Sequence, residues 1–163
     1  MKINTKSKAL LPDKEKFEFL RKIPIFAGAE PEILMEMASS LTEKEVLKGS
    51  AIIRKGEEGD AVFIIARGKV RVHDGNHVLA RLVTGQVFGE YALIDNRTRS
   101  ASVTADENCL LLRLDYSDFY RHAAGNPEIL RGVLRQLIHR MRDMNVLEEK
   151  LSKSYLKILH SSR

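Results

Sequence analysis

Lys69-Val70-Arg71-Val72-His73-Asp74-Gly75-Asn76-His77-Val78-Leu79-Ala80-Arg81-Leu82-Val83 is the stretch on which the fold turns. Alternation through Lys69 to His73 places Val70 and Val72 on one face of a strand, and Asp74-Gly75 then turns the chain into a second strand from Val78 to Val83. This is a β-hairpin. The same texture extends on both sides, since seven of the ten glycines fall between Gly49 and Gly89 and separate short runs of Val, Ile and Phe. Further strands are expected at 51–54, 61–66, 100–105 and 109–115, the last alternating through Leu110, Leu112 and Leu114. Seven or eight short antiparallel strands must close or pair to protect their edges, which predicts a jelly-roll β-barrel.

Helices flank this β region. Asp13 after Pro12, with apolar Phe17, Leu20 and Ile23, predicts a short helix ended by Pro24, and Pro31 opens a second through Ile33, Leu34 and Met37. After Asp115 the helical pattern returns, with Ser117 and Asp118 expected to cap a short helix and Asn126-Pro127 to start a long one. Leu130, Leu134, Leu137, Met141, Met144, Leu151, Tyr155 and Ile158 form an apolar seam along it, broken at Glu148. About 30 helical residues span about 45 Å, more than one side of such a domain. The distal seam is therefore expected to meet another helix, most simply its copy in a homodimer, or else an effector protein. The fold class is mainly β with flanking helices: an antiparallel jelly-roll with short N-terminal helices and a long C-terminal helix.

With 163 residues, 44% hydrophobic and 30% charged, the chain fits one domain with an appended helix and excludes a multidomain enzyme. The longest apolar run, Ala61 to Ala66, is far short of the roughly 20 residues of a membrane span. No apolar core follows Met1-Lys2-Ile3-Asn4-Thr5-Lys6, so no secretory signal is read there, and the lone Cys109 forms no internal disulfide; the expected location is the cytoplasm. The net charge of +5 sits in the flanks: residues 23–115 carry eleven basic against fourteen acidic side chains. Such a middle is a poor match for a phosphate backbone, and no nucleic-acid partner is expected.

Chemistry concentrates in Phe88-Gly89-Glu90-Tyr91-Ala92-Leu93-Ile94-Asp95-Asn96-Arg97-Thr98-Arg99-Ser100-Ala101-Ser102-Val103. Gly89 allows close backbone approach, and Glu90 to Ile94 reads as a helical turn whose N-terminal amides favour an anion. Arg99 returns a guanidinium to that end, with paired donors suited to phosphate. Glu90 would be repelled by an anion unless it served another group, and a sugar hydroxyl is the natural donor. Phosphate and ribose together indicate a nucleotide.

The order Phe-Gly-Glu-x-Ala-Leu, an Arg nine residues after the Glu, then small-Ala-small-Val resembles the phosphate-binding cassette of the cyclic nucleotide-binding domain family. That family includes kinase regulatory subunits, cyclic-nucleotide-gated channels and bacterial catabolite-activator proteins. The stretch from Gly56 to Val70 is similar to its glycine-marked strands. The resemblance covers about residues 18–145, leaving 1–17 as an N-terminal extension and 146–163 as a C-terminal helical extension. It implies that Arg99 pairs with the cyclic phosphate and Glu90 accepts from the ribose 2′-hydroxyl. Gly89 and Ala92 then give backbone contacts, Phe88 and Ala101 line the pocket, and Tyr91 and Leu93 complete the cassette. Ser100 follows the arginine; a hydroxyl there favours guanine in the kinase branch, whereas a serine there accompanies adenine in the bacterial branch. The ligand is cAMP or cGMP with a lean to cAMP, bound by a non-enzymatic sensor without cofactor or metal, whose C-terminal helices switch position on binding. The alternative is a protein-interaction module of the same fold that binds no nucleotide or another ligand.

Other candidates carry less. His73 and His77 flank the hairpin turn and raise a cupin-like metal site, but no third ligand is near in sequence. His122, His139 and His160 lie on expected helices, Cys109 reads as a packed thiol, and Arg97 is the substitute for Arg99. Only about 20 residues follow Asp143, too few for the DNA-binding element that follows the long helix in the catabolite-activator branch.

Overall fold

Two four-stranded antiparallel sheets face one another in the computed structural model, which describes residues 11–90 and 98–161. The first has the order β1 (Thr42–Val46), β8 (Cys109–Asp115), β3 (Ala61–Arg67), β6 (Val87–Phe88). The second has β2 (Ala51–Ile53), β7 (Ser102–Ala105), β4 (Lys69–Asp74), β5 (His77–Val83). This is the expected jelly-roll. The β4–β5 hairpin pairs Val70 with Leu82 and Val72 with Ala80, and its turn lies one residue later than the sequence indicates, between the paired Asp74 and His77. Gly75 takes φ +54° there, a conformation that costs glycine little.

Alternating residues of the first sheet serve two cores. Phe63, Ile65, Leu111, Cys109 and Phe88 point into the roll, where they meet Ile53, Val70, Val103 and Ala105 of the second sheet. Val62, Ile64, Leu112 and Leu114 point the other way, into a helical layer. Burial on both faces is why β3 and β8 read as continuous apolar runs while β4 alternates. Two strands escape the sequence reading. β6 is only two residues long, and β1, Thr-Glu-Lys-Glu-Val, looks like a polar loop. Its Glu43 is nonetheless largely enclosed, 3.2 Å from the buried Lys16 of the first helix, whose Nζ also donates to Leu41 O.

The helical layer comprises α1 (Asp13–Arg21), a 3-10 turn (Pro24–Phe26), α2 (Pro31–Ser40), α3 (Tyr116–Ala123) and α4 (Pro127–Ser161). Pro24 ends the first helical segment as expected, but it also opens the 3-10 turn. The expected cap of α3 is corrected: Asp115 occupies the cap without a side-chain bond, and Asp118 pairs instead with Arg121 inside the helix. Asn126 does start α4, its Oδ1 accepting the Glu128 amide at 3.0 Å.

α4 also corrects the apolar seam. The face laid on the core carries Ile129, Gly132 and Val133, with Leu137 at its edge. Leu130, Leu134 and Met141, on the expected seam, are 46%, 58% and 64% exposed, and Leu151 is exposed further along. A β-carbon at Gly132 would stand 1.9 Å from the carbonyl oxygen of Ile25, so the 3-10 turn and α4 touch backbone to backbone. At about 1.5 Å per residue the 35 residues of α4 extend about 52 Å. No described helix is long and apolar enough to cross a membrane.

Candidate functional site

The chain between β6 and β7 begins at Gly89, which has φ +79°. A β-carbon there would stand 2.7 Å from an Arg99 guanidinium nitrogen and 3.3 Å from the Ala61 carbonyl oxygen. Glycine is thus required twice, for its dihedral and for the room it leaves Arg99. Phe88, just before it, is buried in the roll and stacks on Phe63 at 5.3 Å between ring centroids. Glu90 follows, partly buried, in a helical conformation.

Arg99 is held at both ends. Its guanidinium donates to Gly89 O at 3.0 Å and to Ala61 O at 2.7 Å. Its amide donates to Glu57 O at 2.8 Å, while its carbonyl accepts from the Gly56 amide at 2.9 Å. An isolated bridge between Glu58 and Thr98 extends this pairing. The segment after β2 therefore forms a short ladder with the segment before β7, and Gly56, at φ +86°, makes the bend. Burial draws the Arg99 guanidinium below its usual range; Asp60 opposes this, Arg113 adds to it, and Glu90 and Glu57 oppose it. The group remains a cation at neutral pH.

A half-buried arginine whose fork has more N–H groups than the two acceptors it meets among the described residues, next to a glycine-opened backbone, suits an oxyanion. Ser100 is exposed, and its hydroxyl has no hydrogen-bond partner among the described residues. Ala101 is partly buried beside it. Ile52, Val72 and Leu82 are partly exposed apolar side chains packed against the cluster inside the roll. Phe88, Gly89, Glu90, Arg99, Ser100 and Ala101 thus flank one segment, whereas Tyr91, Ala92, Leu93 and Arg97 lie outside the described residues. So does most of the expected helical turn from Glu90 to Ile94.

The ladder between residues 56–58 and 98–99 is the part of the site that the sequence reading missed. Its signal is Gly56-Glu57-Glu58-Gly59-Asp60, which the sequence marks as part of a glycine-punctuated stretch but does not pair with Arg99.

His73, Cys109 and His122 resolve into structural roles. His73 places Nδ1 2.8 Å from Gly75 O and Nε2 2.9 Å from Thr104 Oγ1, which occupies both ring nitrogens in the hairpin. No group of three His, Cys, Asp or Glu side chains that could hold a metal occurs among the described residues. Cys109 is buried near Lys69 O and Glu107 O, and burial pushes its thiol up, away from the reactive thiolate. His122 is packed between α3 and α2, 3.5 Å from Ser40 Oγ and 3.7 Å from Glu36 Oε2.

The chain is 36% identical over 113 residues to a cyclic nucleotide-gated potassium channel of Mesorhizobium japonicum, covering 69% of this chain and 31% of the channel. It is 38% identical over 109 residues to cGMP-dependent protein kinase 2 of Mus musculus, covering 61% of this chain and 14% of the kinase. It thus spans less than a third of either relative. The crystal structure of Thermus thermophilus catabolite activator protein superposes with a TM-score of 0.71 at 32% identity, covering 79% of this chain and 63% of that one. The family described as cyclic nucleotide-binding domain matches residues 43–126, from the first strand through Asn126 at the start of α4. With the roll, the order of its strands and the glycine–arginine segment all in place, the chain belongs to the cyclic nucleotide-binding domain family.

Proposed function

We propose that this chain is a cyclic-nucleotide sensor, not an enzyme, that takes cAMP in preference to cGMP and works in the cytoplasm. Residues 18–145 form the binding unit. Arg99 pairs with the cyclic phosphate and Glu90 accepts from the 2′-hydroxyl. Gly89 and Ala92 supply backbone contacts, Phe88 and Ala101 support the pocket, Tyr91 and Leu93 belong to the same wall, and Ser100 lies against the phosphate side. The observation that carries this reading is Arg99, whose main chain is held by Gly56 and Glu57 and whose guanidinium is held beside Gly89 and within the influence of Glu90. The preference for cAMP rests on the serine after the arginine, as in the bacterial branch. Calorimetric titration with cAMP and cGMP side by side tests it. Arg99→Ala is expected to weaken binding about tenfold to a hundredfold, the loss of charge-assisted hydrogen bonds. Glu90→Gln should weaken cAMP while leaving a 2′-deoxy analogue nearly unaffected. Neither nucleotide binding to the parent would overturn the proposal.

The exposed Val146 and Leu151 on the distal part of α4 favour a second element of the reading: α3 and α4 shift when ligand binds, and the part of α4 beyond Met141 then meets a second copy of the chain. Truncation after Asn145 should leave nucleotide binding intact and reduce self-association in sedimentation. A monomer at every concentration, with and without ligand, would remove the dimer and leave α4 as a connection to an effector.

A further inference from the structure

Ser102 stands at the start of β7, outside the residues assigned a contact with nucleotide, and its hydroxyl is committed elsewhere. Its Oγ accepts the amide of Lys55 at 3.0 Å. The pairing of β2 with β7 slips between Ala51 and Ile53 and ends at the Ile53–Val103 pair, so Lys55 lies beyond the regular ladder and Ser102 supplies the acceptor that the strand does not. The next residues, Gly56 and Glu57, take up both main-chain groups of Arg99. Lys55 also reaches sideways, its Nζ 2.5 Å from Asp74 at the hairpin tip, but that pair is half exposed and contributes little.

We infer that Ser102 is a positioning residue for Arg99. Its hydroxyl anchors the loop after β2 at Lys55, the loop fixes the Arg99 backbone through Gly56 and Glu57, and the guanidinium is thereby held against Gly89 and Ala61. This deepens the function proposed above and rests on it: a hydroxyl that touches no ligand sets the affinity for the cyclic phosphate. Three successive bonds join the hydroxyl to Arg99, Lys55 N–H to Ser102 Oγ, Gly56 N–H to Arg99 O, and Arg99 N–H to Glu57 O, all between 2.8 and 3.0 Å.

The test is a double-mutant cycle read by calorimetric titration with cAMP. Ser102→Ala should weaken binding about fivefold, the size of one net hydrogen bond, and Ser102→Thr, which keeps the hydroxyl, should restore it. In an Arg99→Ala background Ser102→Ala should cost nothing further, because the residue it positions is gone. Amide hydrogen exchange of the ligand-free protein gives a second measure: Gly56 and Arg99 should exchange faster in Ser102→Ala than in the parent, and Ser102→Thr should match the parent. Unchanged affinity in Ser102→Ala, an undiminished loss in the Arg99→Ala background, or unchanged exchange at both amides would each overturn the inference. A parent that binds neither nucleotide removes the sensor function and the affinity effect together, while exchange still decides whether Ser102 holds Arg99.

Discussion

The sheet containing β3 and β8 and the sheet containing β4 and β5 are built from similar short strands, yet they bury different amounts of themselves. The first has the roll on one side and the helical layer on the other, so consecutive residues such as Phe63 and Ile64 serve separate cores. The second has the roll on one side only; β5 is exposed along almost its whole length, with Val78, Leu79 and Val83 in contact with solvent. The first sheet is the half against which helices pack. Arg99 precedes β7 of the second sheet, but its guanidinium donates to Ala61 O of β3 and to Gly89 O just after β6, so the candidate segment crosses from one sheet to the other.

The largest effect should come from the doubly buried sheet. Ile64→Ala removes a side chain that is 1% exposed and faces the helices, and is expected to cost about 2 to 5 kcal/mol in urea unfolding. A cost below about 1 kcal/mol would mean that the helical layer can collapse onto the sheet, and the contrast between the two sheets would lose its basis.

Next in size is Gly132→Ala. On an exposed helix that change stabilises by about 1 kcal/mol. Here the new methyl meets the Ile25 carbonyl at 1.9 Å, so the sign should reverse, with a loss of about 1 to 3 kcal/mol or more as α4 is lifted from the 3-10 turn. A stabilised variant would show that α4 is not seated on the layer behind the first sheet.

These two positions also show what could and could not be read beforehand. β4 was legible because a strand buried on one face alternates, and the alternation is written in Val70 and Val72. The runs of β3 and β8 announced strands but not which residue faces which core, since both faces are apolar. β1 was invisible because Glu43 is satisfied by Lys16 from a distant helix, a pairing that no local pattern encodes. On α4 the error was one of phase. Leu130 and Leu134 have the right spacing for a core face, as do Ile129 and Val133 one position away, and Gly132 decides between them through a contact with Ile25 far away in the chain. At the site, the spacing of Gly89, Glu90 and Arg99 was legible, whereas the ladder to Gly56 and Glu57 depended on the closed roll.

A smaller effect is expected from His122, on the helical side of the first sheet. Burial lowers its affinity for a proton, Arg121 adds to this, and Glu36 opposes it. The unfolded chain therefore takes the proton more readily than the folded one. The stability owed to neutral His122 is complete above the unfolded value of about 6.5 and declines as pH falls from there through the lower folded value. Urea midpoints measured between pH 7 and 5 should fall less in His122→Gln than in the parent, and more in Glu36→Gln, where the opposing carboxylate is gone. Parallel slopes in all three would place the proton uptake elsewhere.

The smallest effect is predicted for Leu79→Ser on the other sheet. Leu79 is the extra residue where the β4–β5 register shifts, between the pairs Val72–Ala80 and His73–Val78, and it is 55% exposed at the free edge of the sheet. A bulge leaves its residue outside the ladder and bends the edge away from further pairing, so the side chain supports neither core. The change should therefore alter stability by no more than about 0.5 kcal/mol, as for other surface positions. The measurement is most telling at two protein concentrations. A loss above about 1 kcal/mol, together with a stability that rises with protein concentration in the parent but not in Leu79→Ser, would mean that this edge is covered by another copy, and that the second sheet is not open on its outer face.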